Sequence, residues 1–263
     1  MAGPNGSIQG PVEAKWGYTT FSVADWDLDG LPDIVLNSIL GEVVWLRNVG
    51  TRTSPRLAAP EPVQVEWQGI PPRLAWGWKT PKGTHLLTQW RTTPVVHDVT
   101  GDGLPDLVML DTDGYLALFE RAKSGVLEPA NVKRRTPNAE GAAPAGGLVL
   151  RHPRRAFVDE SGRPLRLNER TAGGSGRRKI AITDWNGDGR FDLLVNSANA
   201  NLLLQVSDRD GRWWFRDAGP LASRNIEGHD VSPATADFDA DGVPDFLGGA
   251  EDGRFYYLRN PRR

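Results

Sequence analysis

One nine-residue acidic segment occurs four times in the chain, and it restricts the possible folds more than any other feature. The first copy reads DWDLDGLPD (25–33), and the others are DVTGDGLPD (98–106), DWNGDGRFD (184–192) and DFDADGVPD (237–245). All four fit the pattern D-x-[DNT]-x-D-G-x-x-D. Repeats separated by several tens of residues are typical of propellers and solenoids, in which each repeat is one supersecondary unit.

Each acidic segment lies between short runs that read as β-strands. TFSVA (20–24) precedes the first segment, and DIVLNS (33–38) and EVVWLRN (42–48) follow it. The other copies have equivalent runs, rich in β-branched, aromatic and leucine residues. PVQVEW (62–67) in the first unit and WWFRDAG (213–219) in the third predict a weaker outer strand. We therefore expect an all-β chain that forms a β-propeller of four four-stranded blades, with an acidic loop between the first two strands of each.

The domain organisation leaves alternatives open. We treat residues 1–263 as a single propeller domain, in which 73–90 and 125–176 fit the repeat poorly. The second region contains FVDESGRPLRLNE with an E-S-G hairpin signal, and it is either an insertion or a degenerate fifth blade. The last unit lacks an outer strand, which GPVEAKW (10–16) could supply to close the ring. A third alternative is that the chain is part of a larger propeller.

The acidic loops have the donor pattern of a calcium site. Oxygen ligands at alternate positions, with glycine at the sharp turn, suit a hard cation such as Ca²⁺. The cation would also neutralise carboxylates that otherwise repel each other. The alternative is that stretches rich in Asp and Gly are simply turns. We expect up to four structural calcium ions, one in each loop. The predicted ligands are Asp25, Asp27, Asp29, Asp33 and the Leu31 carbonyl; Asp98, Thr100, Asp102 and Asp106; Asp184, Asn186, Asp188 and Asp192; and Asp237, Asp239, Asp241 and Asp245.

These motifs, together with DLVMLDTDGYLALFER and DFLGGAEDGRFYYLRN, resemble FG-GAP/VCBS repeats. The resemblance covers most of 16–120 and 180–260. It implies a β-propeller with calcium in the first hairpin of each blade. The strict FG-GAP dipeptides are absent, so the VCBS-like branch fits better. Members include integrin heads, bacterial lectins and the propeller domains of polysaccharide lyases and glycosidases, so the resemblance indicates the fold and the metal more specifically than the function.

A ligand site is expected where the chain enters the innermost strand of each blade, because these segments surround the central channel. Unlike the metal loops, they differ between units. Tryptophan faces stack on sugar rings, and arginine pairs with carboxylates or sulfates. We therefore predict carbohydrate binding, with a uronate-containing or sulfated polysaccharide as the ligand. The alternative is a solvated rim whose tryptophans pack between blades. The predicted binding residues are Trp16, Trp90, Arg91, Arg177, Arg178, Lys179 and Asp230.

Two other functions stay open. His229 could act as a base and Tyr18 as an acid, which would suit β-elimination by a polysaccharide lyase or another carbohydrate-active enzyme. The other reading of His229 is a hydrogen-bonded histidine at the start of a strand. A propeller that binds other proteins is the third possibility.

Composition narrows the class of protein. The net charge is −2, no cysteine is present, and no apolar run approaches the length of a membrane span. MAGPNGSIQG (1–10) does not read as a signal peptide. We expect a secreted or periplasmic module, with further domains or blades in a longer protein as an option. The basic clusters lack an aromatic-interleaved motif, so nucleic acid is not an expected partner.

Overall fold

The computed structural model describes residues 2–3, 6–7, 19–38, 40–73, 80, 82–121, 149–168, 178–197, 200–223, 226, 231–250 and 253–262. Within these residues all regular structure is β, as predicted, and no helix capable of crossing a membrane occurs among them. The strands are β1 (Ala2–Gly3), β2 (Gly6–Ser7), β3 (Thr20–Ala24), β4 (Asp33–Asn37), β5 (Val43–Leu46), β6 (Glu61–Pro62), β7 (Gln64–Glu66), β8 (Val95–His97), β9 (Asp106–Leu110), β10 (Leu116–Phe119), β11 (Val149–Arg151), β12 (Phe157–Asp159), β13 (Ile180–Thr183), β14 (Asp192–Val195), β15 (Asn201–Arg209), β16 (Arg212–Pro220), β17 (Ser232–Ala236), β18 (Asp245–Gly249) and β19 (Phe255–Leu258).

Each acidic segment belongs to its own sheet, in which the strands that follow one another around the acidic loop pair antiparallel. The first sheet has the order β3-β4-β5-β6 and the second β8-β9-β10. The third has the order β13-β14-β15-β16-β12, and the fourth is β17-β18-β19. Strands β1 and β2 form a small ladder, and β7 pairs with β11. Among the described residues, four-stranded units therefore occur only in the first and third repeats.

The four sheets share one register at the acidic loop. In the first sheet, Ala24 at the end of β3 lies opposite Asp33 at the start of β4. Equivalent pairs join the first two strands of the other sheets. These pairs are His97 with Asp106, Thr183 with Asp192, and Ala236 with Asp245. The ninth residue of every acidic segment is thus the first residue of the second strand.

Neighbouring sheets pack on each other in chain order. The first strands of successive sheets lie side by side, β3 on β8, β8 on β13 and β13 on β17. Val35, Trp45 and Met109 belong to a core between the first two sheets. Further cores lie between the second and third sheets and between the third and fourth. The sheets are open, and closure into a ring stays a prediction, because GPVEAKW lies outside the described residues.

Residues 149–168, called the connector below, join three sheets. Strand β11 pairs in parallel with β7, and β12 pairs in parallel with β16 of the third sheet. Between them, Leu118 of β10 and Arg154 exchange backbone hydrogen bonds of 3.0 Å. The connector therefore occupies the outer edge of the second sheet. The predicted E-S-G turn is confirmed, since the Asp159 amide donates to the Arg163 carbonyl at 2.9 Å.

Part of the other irregular region also joins the first sheet. Of 73–90, residues 74–79 and 81 lie outside the described residues. The Leu86 amide donates to the Val63 carbonyl at 2.8 Å, and the Thr88 amide donates to the Gly41 carbonyl at 2.9 Å. Residues 84–88 thus form a short extended segment against the first sheet.

We expect Phe157→Ala to lower the free energy of unfolding by about 3–5 kcal/mol, because a buried phenylalanine would leave a cavity. Phe157 is fully buried, with Phe191, Trp213 and Phe215 as its aromatic neighbours. Phe255→Ala is the matched control, because this phenylalanine is 87% exposed. Urea denaturation of the two variants measures the difference. Equal stabilities would show that the connector does not anchor in this core.

Candidate functional site

The four acidic loops are built on the same backbone hydrogen bonds. Asp25 accepts from the Asp29 amide at 3.0 Å through Oδ1 and from the Gly30 amide at 2.8 Å through Oδ2. Asp98, Asp184 and Asp237 accept the equivalent pairs of amides. The sixth position of each loop has a positive φ, 87° at Gly30, which explains the glycine there. The first aspartate thus folds the loop back on itself.

The aspartate at the fifth position of each segment accepts a hydrogen bond from the second half of the loop. Asp29 Oδ1 accepts from the Leu31 amide at 3.0 Å. Asp102, Asp188 and Asp241 accept from the amide two residues later in the same way, at 2.9–3.0 Å. These bonds are local, so the loop conformation follows from the spacing of the acidic residues.

The aspartate at the ninth position of each segment, called the ninth aspartate below, links the acidic loop to the third strand of its sheet. Asp33 Oδ2 accepts from the Trp26 amide at 3.2 Å, and Oδ1 accepts from the Asn48 amide at 2.7 Å. Asp106 bridges Val99 and Arg121, and Asp192 bridges Trp185 and Gln205. In the fourth sheet, Asp245 accepts from the Asn260 amide and the Tyr257 hydroxyl. All four are buried.

Burial disfavours the charged form of an aspartate side chain. It raises the pKa of Asp33, Asp106 and Asp192, although the backbone amides that they accept lower it in part. Each carboxylate oxygen has two lone pairs, so the amide bonds leave acceptor capacity for a cation. The role of the ninth aspartate as a metal ligand stays a prediction.

The residues of the first and fourth loops fit a divalent cation. Carboxylate oxygens of Asp25, Asp27 and Asp29 all lie within 4.8 Å of one another, and those of Asp237, Asp239 and Asp241 do the same. Only 4% of the Asp27 side chain is exposed, and its Oδ1 receives no hydrogen bond of acceptable geometry. A buried carboxylate oxygen without a donor is costly, and a cation would satisfy it.

Two arginines that the sequence analysis did not single out reach into these loops. Arg47 Nε lies 2.7 Å from Asp27 Oδ2, and its Nη2 lies 3.0 Å from Asp29 Oδ2. Arg259 contacts Asp239 at 2.7 Å and Asp241 at 3.1 Å. Both arginines directly precede the asparagine whose amide binds the ninth aspartate. The repeated letters LRN in VVWLRN and FYYLRN were the available signal.

The other two loops have a different residue at this position. Glu120 precedes Arg121 in the second sheet, and Leu204 precedes Gln205 in the third. These loops carry Thr100 and Asn186 at the third position in place of an aspartate. The arginine is therefore present where the loop has a fourth carboxylate and absent where it has three. The third loop also carries an arginine of its own, Arg190, whose Nη1 lies 3.4 Å from Asp188 Oδ2, so the four loops do not have one common net charge.

Four of the predicted ligand residues lie in the part of the chain that the structure describes, and we call them the strand-start cluster: Trp90, Arg91, Arg178 and Lys179. The Thr20 hydroxyl donates to the Thr92 carbonyl at 2.5 Å, which joins the start of β3 to the start of β8. The Thr93 amide donates to the Arg178 carbonyl at 3.0 Å, which adds the start of β13. Five other predicted residues lie outside the described residues: Trp16, Tyr18, Arg177, His229 and Asp230.

The centre of this cluster is a stacked pair. The Arg91 guanidinium carbon lies 4.2 Å from the centroid of the half-buried Trp90 ring. Arg91 is only 8% exposed and has a positive φ of 60°. A non-glycine residue in this conformation is uncommon, and such residues concentrate at functional sites. Arg178 is held by its Nε, which donates to the Leu167 carbonyl.

Comparisons with known proteins support the repeat. The FG-GAP-like repeat family matches residues 184–248, which include the third and fourth acidic loops. The predicted FG-GAP resemblance is therefore confirmed for this part of the chain. No curated protein matches the chain.

One solved structure with detectable similarity is a lectin of Agrocybe aegerita, described for its specific recognition of non-reducing terminal N-acetylglucosamine. The two chains are 14% identical with a TM-score of 0.43, and the match covers 93% of this chain. This chain spans 50% of the length of the lectin chain. Similarity at this level does not identify a shared ligand.

We expect Asp192→Asn to destabilise the protein by about 1.5–3 kcal/mol, because one buried backbone amide loses its bond to a charged acceptor. Urea denaturation in EDTA measures this effect without any contribution from bound metal. Asp208→Asn is the matched control, since Asp208 is exposed on β15. If the two variants were equally stable in EDTA, the ninth aspartate would act only through a metal ion.

Proposed function

We propose that the protein is a calcium-stabilised carbohydrate-binding module that binds an acidic polysaccharide at the strand-start cluster. The observation that supports this most directly is the Trp90–Arg91 pair, held where the first three sheets meet. Indole offers an apolar face to a sugar ring, and a guanidinium offers donors to a carboxylate or sulfate. Arg178 and Lys179 add positive charge beside the pair.

Calcium has a structural role in this proposal. Each ion would neutralise the carboxylates of one loop, and through the ninth aspartate that loop contacts the third strand. Ion binding would therefore hold each unit in its folded arrangement. Secretion or export to the periplasm would place such loops where calcium is plentiful. Closure into a four-blade propeller belongs to the same proposal.

The loops predict a measurable calcium dependence. We expect EDTA to lower the melting temperature, because ligand that binds only the folded state adds about 2.7 kcal/mol per site at a concentration of 100 times its Kd. Differential scanning calorimetry with and without calcium measures the shift. Elemental analysis should find calcium in protein that has not been chelated. A melting curve unaffected by EDTA or added calcium would rule out the structural ions.

Arg47 allows a more specific test of calcium binding in the first loop. Arg47→Gln removes a positive charge from the first loop, so the calcium-free protein should melt earlier while calcium binds more tightly. Both effects should enlarge the calcium-induced rise in melting temperature. Arg163→Gln is the control, because its guanidinium is exposed and pairs with Asp159 outside the acidic loops. Equal calcium-induced shifts in the two variants would contradict a cation at Asp27 and Asp29.

The strand-start cluster is tested by affinity for a uronate oligosaccharide. Trp90→Ala and Arg91→Ala should each weaken binding by about 1–3 kcal/mol in isothermal titration calorimetry. Trp214→Ala is a matched control, since the Arg209 guanidinium also stacks on Trp214, at 4.1 Å, but on the outer strand of the third sheet. Unchanged affinity in both cluster variants would exclude this site.

The same uronate oligosaccharide separates binding from catalysis when its absorbance is followed during incubation with the protein. A rise in absorbance from unsaturated product would favour the lyase alternative, in which His229 is the base. His229→Ala would then keep binding and lose turnover by roughly 10²–10⁴-fold.

A further inference from the structure

A cavity is built from residues outside the strand-start cluster and the acidic loops. Its volume is about 650 Å³, within the range typical of small-molecule sites. Its walls come from the segment after β7, residues 86–88, the turn after β9, the connector and the β15–β16 turn. None of the lining residues belongs to the strand-start cluster or to an acidic loop. We call it the connector groove.

The apolar part of the groove is formed by Trp67 and Ile70. Trp67 is half-buried, and the His152 imidazole meets its ring edge-on, with centroids 5.8 Å apart. His152 Nδ1 accepts from the Gln68 amide at 3.2 Å, which orients the imidazole and leaves the proton on Nε2. Ile70 is 90% exposed, so its apolar side chain is accessible to a bound molecule. The groove thus has a held aromatic side chain beside exposed apolar surface.

The polar part is a fixed carboxylate–guanidinium set. Arg155 Nε lies 2.6 Å from Asp111 Oδ2, and its Nη2 lies 2.5 Å from Asp113 Oδ2. Asp111 is itself held, because its Oδ1 accepts from the amides of Asp113 and Tyr115. The Arg155 guanidinium also stacks on the Tyr115 ring at 3.9 Å. Asp113 remains 63% exposed, so the set offers both acceptors and donors to a bound molecule.

The charges of the groove indicate the class of ligand. Three arginines (Arg154, Arg155 and Arg212) and three aspartates (Asp111, Asp113 and Asp210) line it, so the formal charges balance. The lining therefore has no excess of either sign to favour an anion or a cation, and hydroxyl groups can both donate to aspartate and accept from arginine. An aromatic face together with paired hydroxyl partners suits a sugar ring, which has an apolar face and a polar rim.

We propose that the connector groove binds a neutral saccharide. The sugar ring packs on Trp67 and Ile70, and its hydroxyls bond to Asp113 and Arg155. This site is separate from the acidic-polysaccharide site of the proposed function and does not depend on it.

The test measures the binding of neutral disaccharides of gluco, galacto and manno configuration (maltose, cellobiose, lactose and mannobiose). Titration calorimetry and saturation-transfer NMR detect the binding. At least one should bind with a Kd below about 20 mM, and Ile70→Ser and Asp113→Asn should each weaken it about tenfold. Both side chains are exposed, so these variants should fold normally. Trp67→Phe, which keeps an aromatic ring in the core contact, should weaken binding less than Ile70→Ser.

Two controls keep the sites distinct. Asp208→Asn, on an exposed strand position, should bind the neutral disaccharide like the wild type. Trp90→Ala should also keep neutral binding, whatever it does to the uronate oligosaccharide. The proposal is wrong if no neutral disaccharide binds, if Ile70→Ser and Asp113→Asn bind normally, or if Trp90→Ala abolishes the binding.

Discussion

The buried carboxylate at the ninth position of each acidic segment is the interaction on which the repeated architecture depends. In the first sheet, Asp33 accepts one backbone amide from the loop before β4 and another from Asn48, directly after β5. One side chain therefore links three successive strands and their connecting loop. Because it is the first residue of β4, it also sets the register of the hairpin. The three other sheets repeat this arrangement with Asp106, Asp192 and Asp245.

This arrangement carries an electrostatic cost, and the chain limits it in a consistent way. A buried carboxylate next to two or three others raises the free energy of the folded state unless positive charge is nearby. In the first and fourth loops, Arg47 and Arg259 supply that charge. The second and third loops instead replace one carboxylate, with Thr100 and Asn186. The third loop also has Arg190 beside Asp188, so a cation would meet less negative charge there than in the other loops.

The features that the sequence predicted correctly are those that depend on the spacing of neighbouring residues along the chain. The three-stranded meanders and the acidic loops depend on contacts within about 15 residues, and the pattern of aspartates, glycine and alternating apolar residues specifies them directly. The backbone contact between Thr93 and Arg178, which joins the starts of β8 and β13, agrees with the equivalence of the repeats. The path of the connector could not be predicted, because β11 and β12 pair in parallel with distant strands and short apolar runs do not encode their partners. The repeated letters LRN single out Arg47 in the sequence. Its role follows only from its contact with Asp27 in the structure.

The residues that recur in every unit and those of the connector make different kinds of contact. Residues that recur in every unit, such as Asp33 and its equivalents, bond to the backbone of their own sheet. Among the residues that the structure describes, the connector has no counterpart in the other units, and it brings His152 and Arg155 beside Trp67 and Asp113 from two other sheets. Such a combination cannot arise within one meander, since its members come from separate repeats. The exposed groove residues Ile70 and Asp113 can therefore change without disturbing the backbone bonds of the ninth-position aspartates.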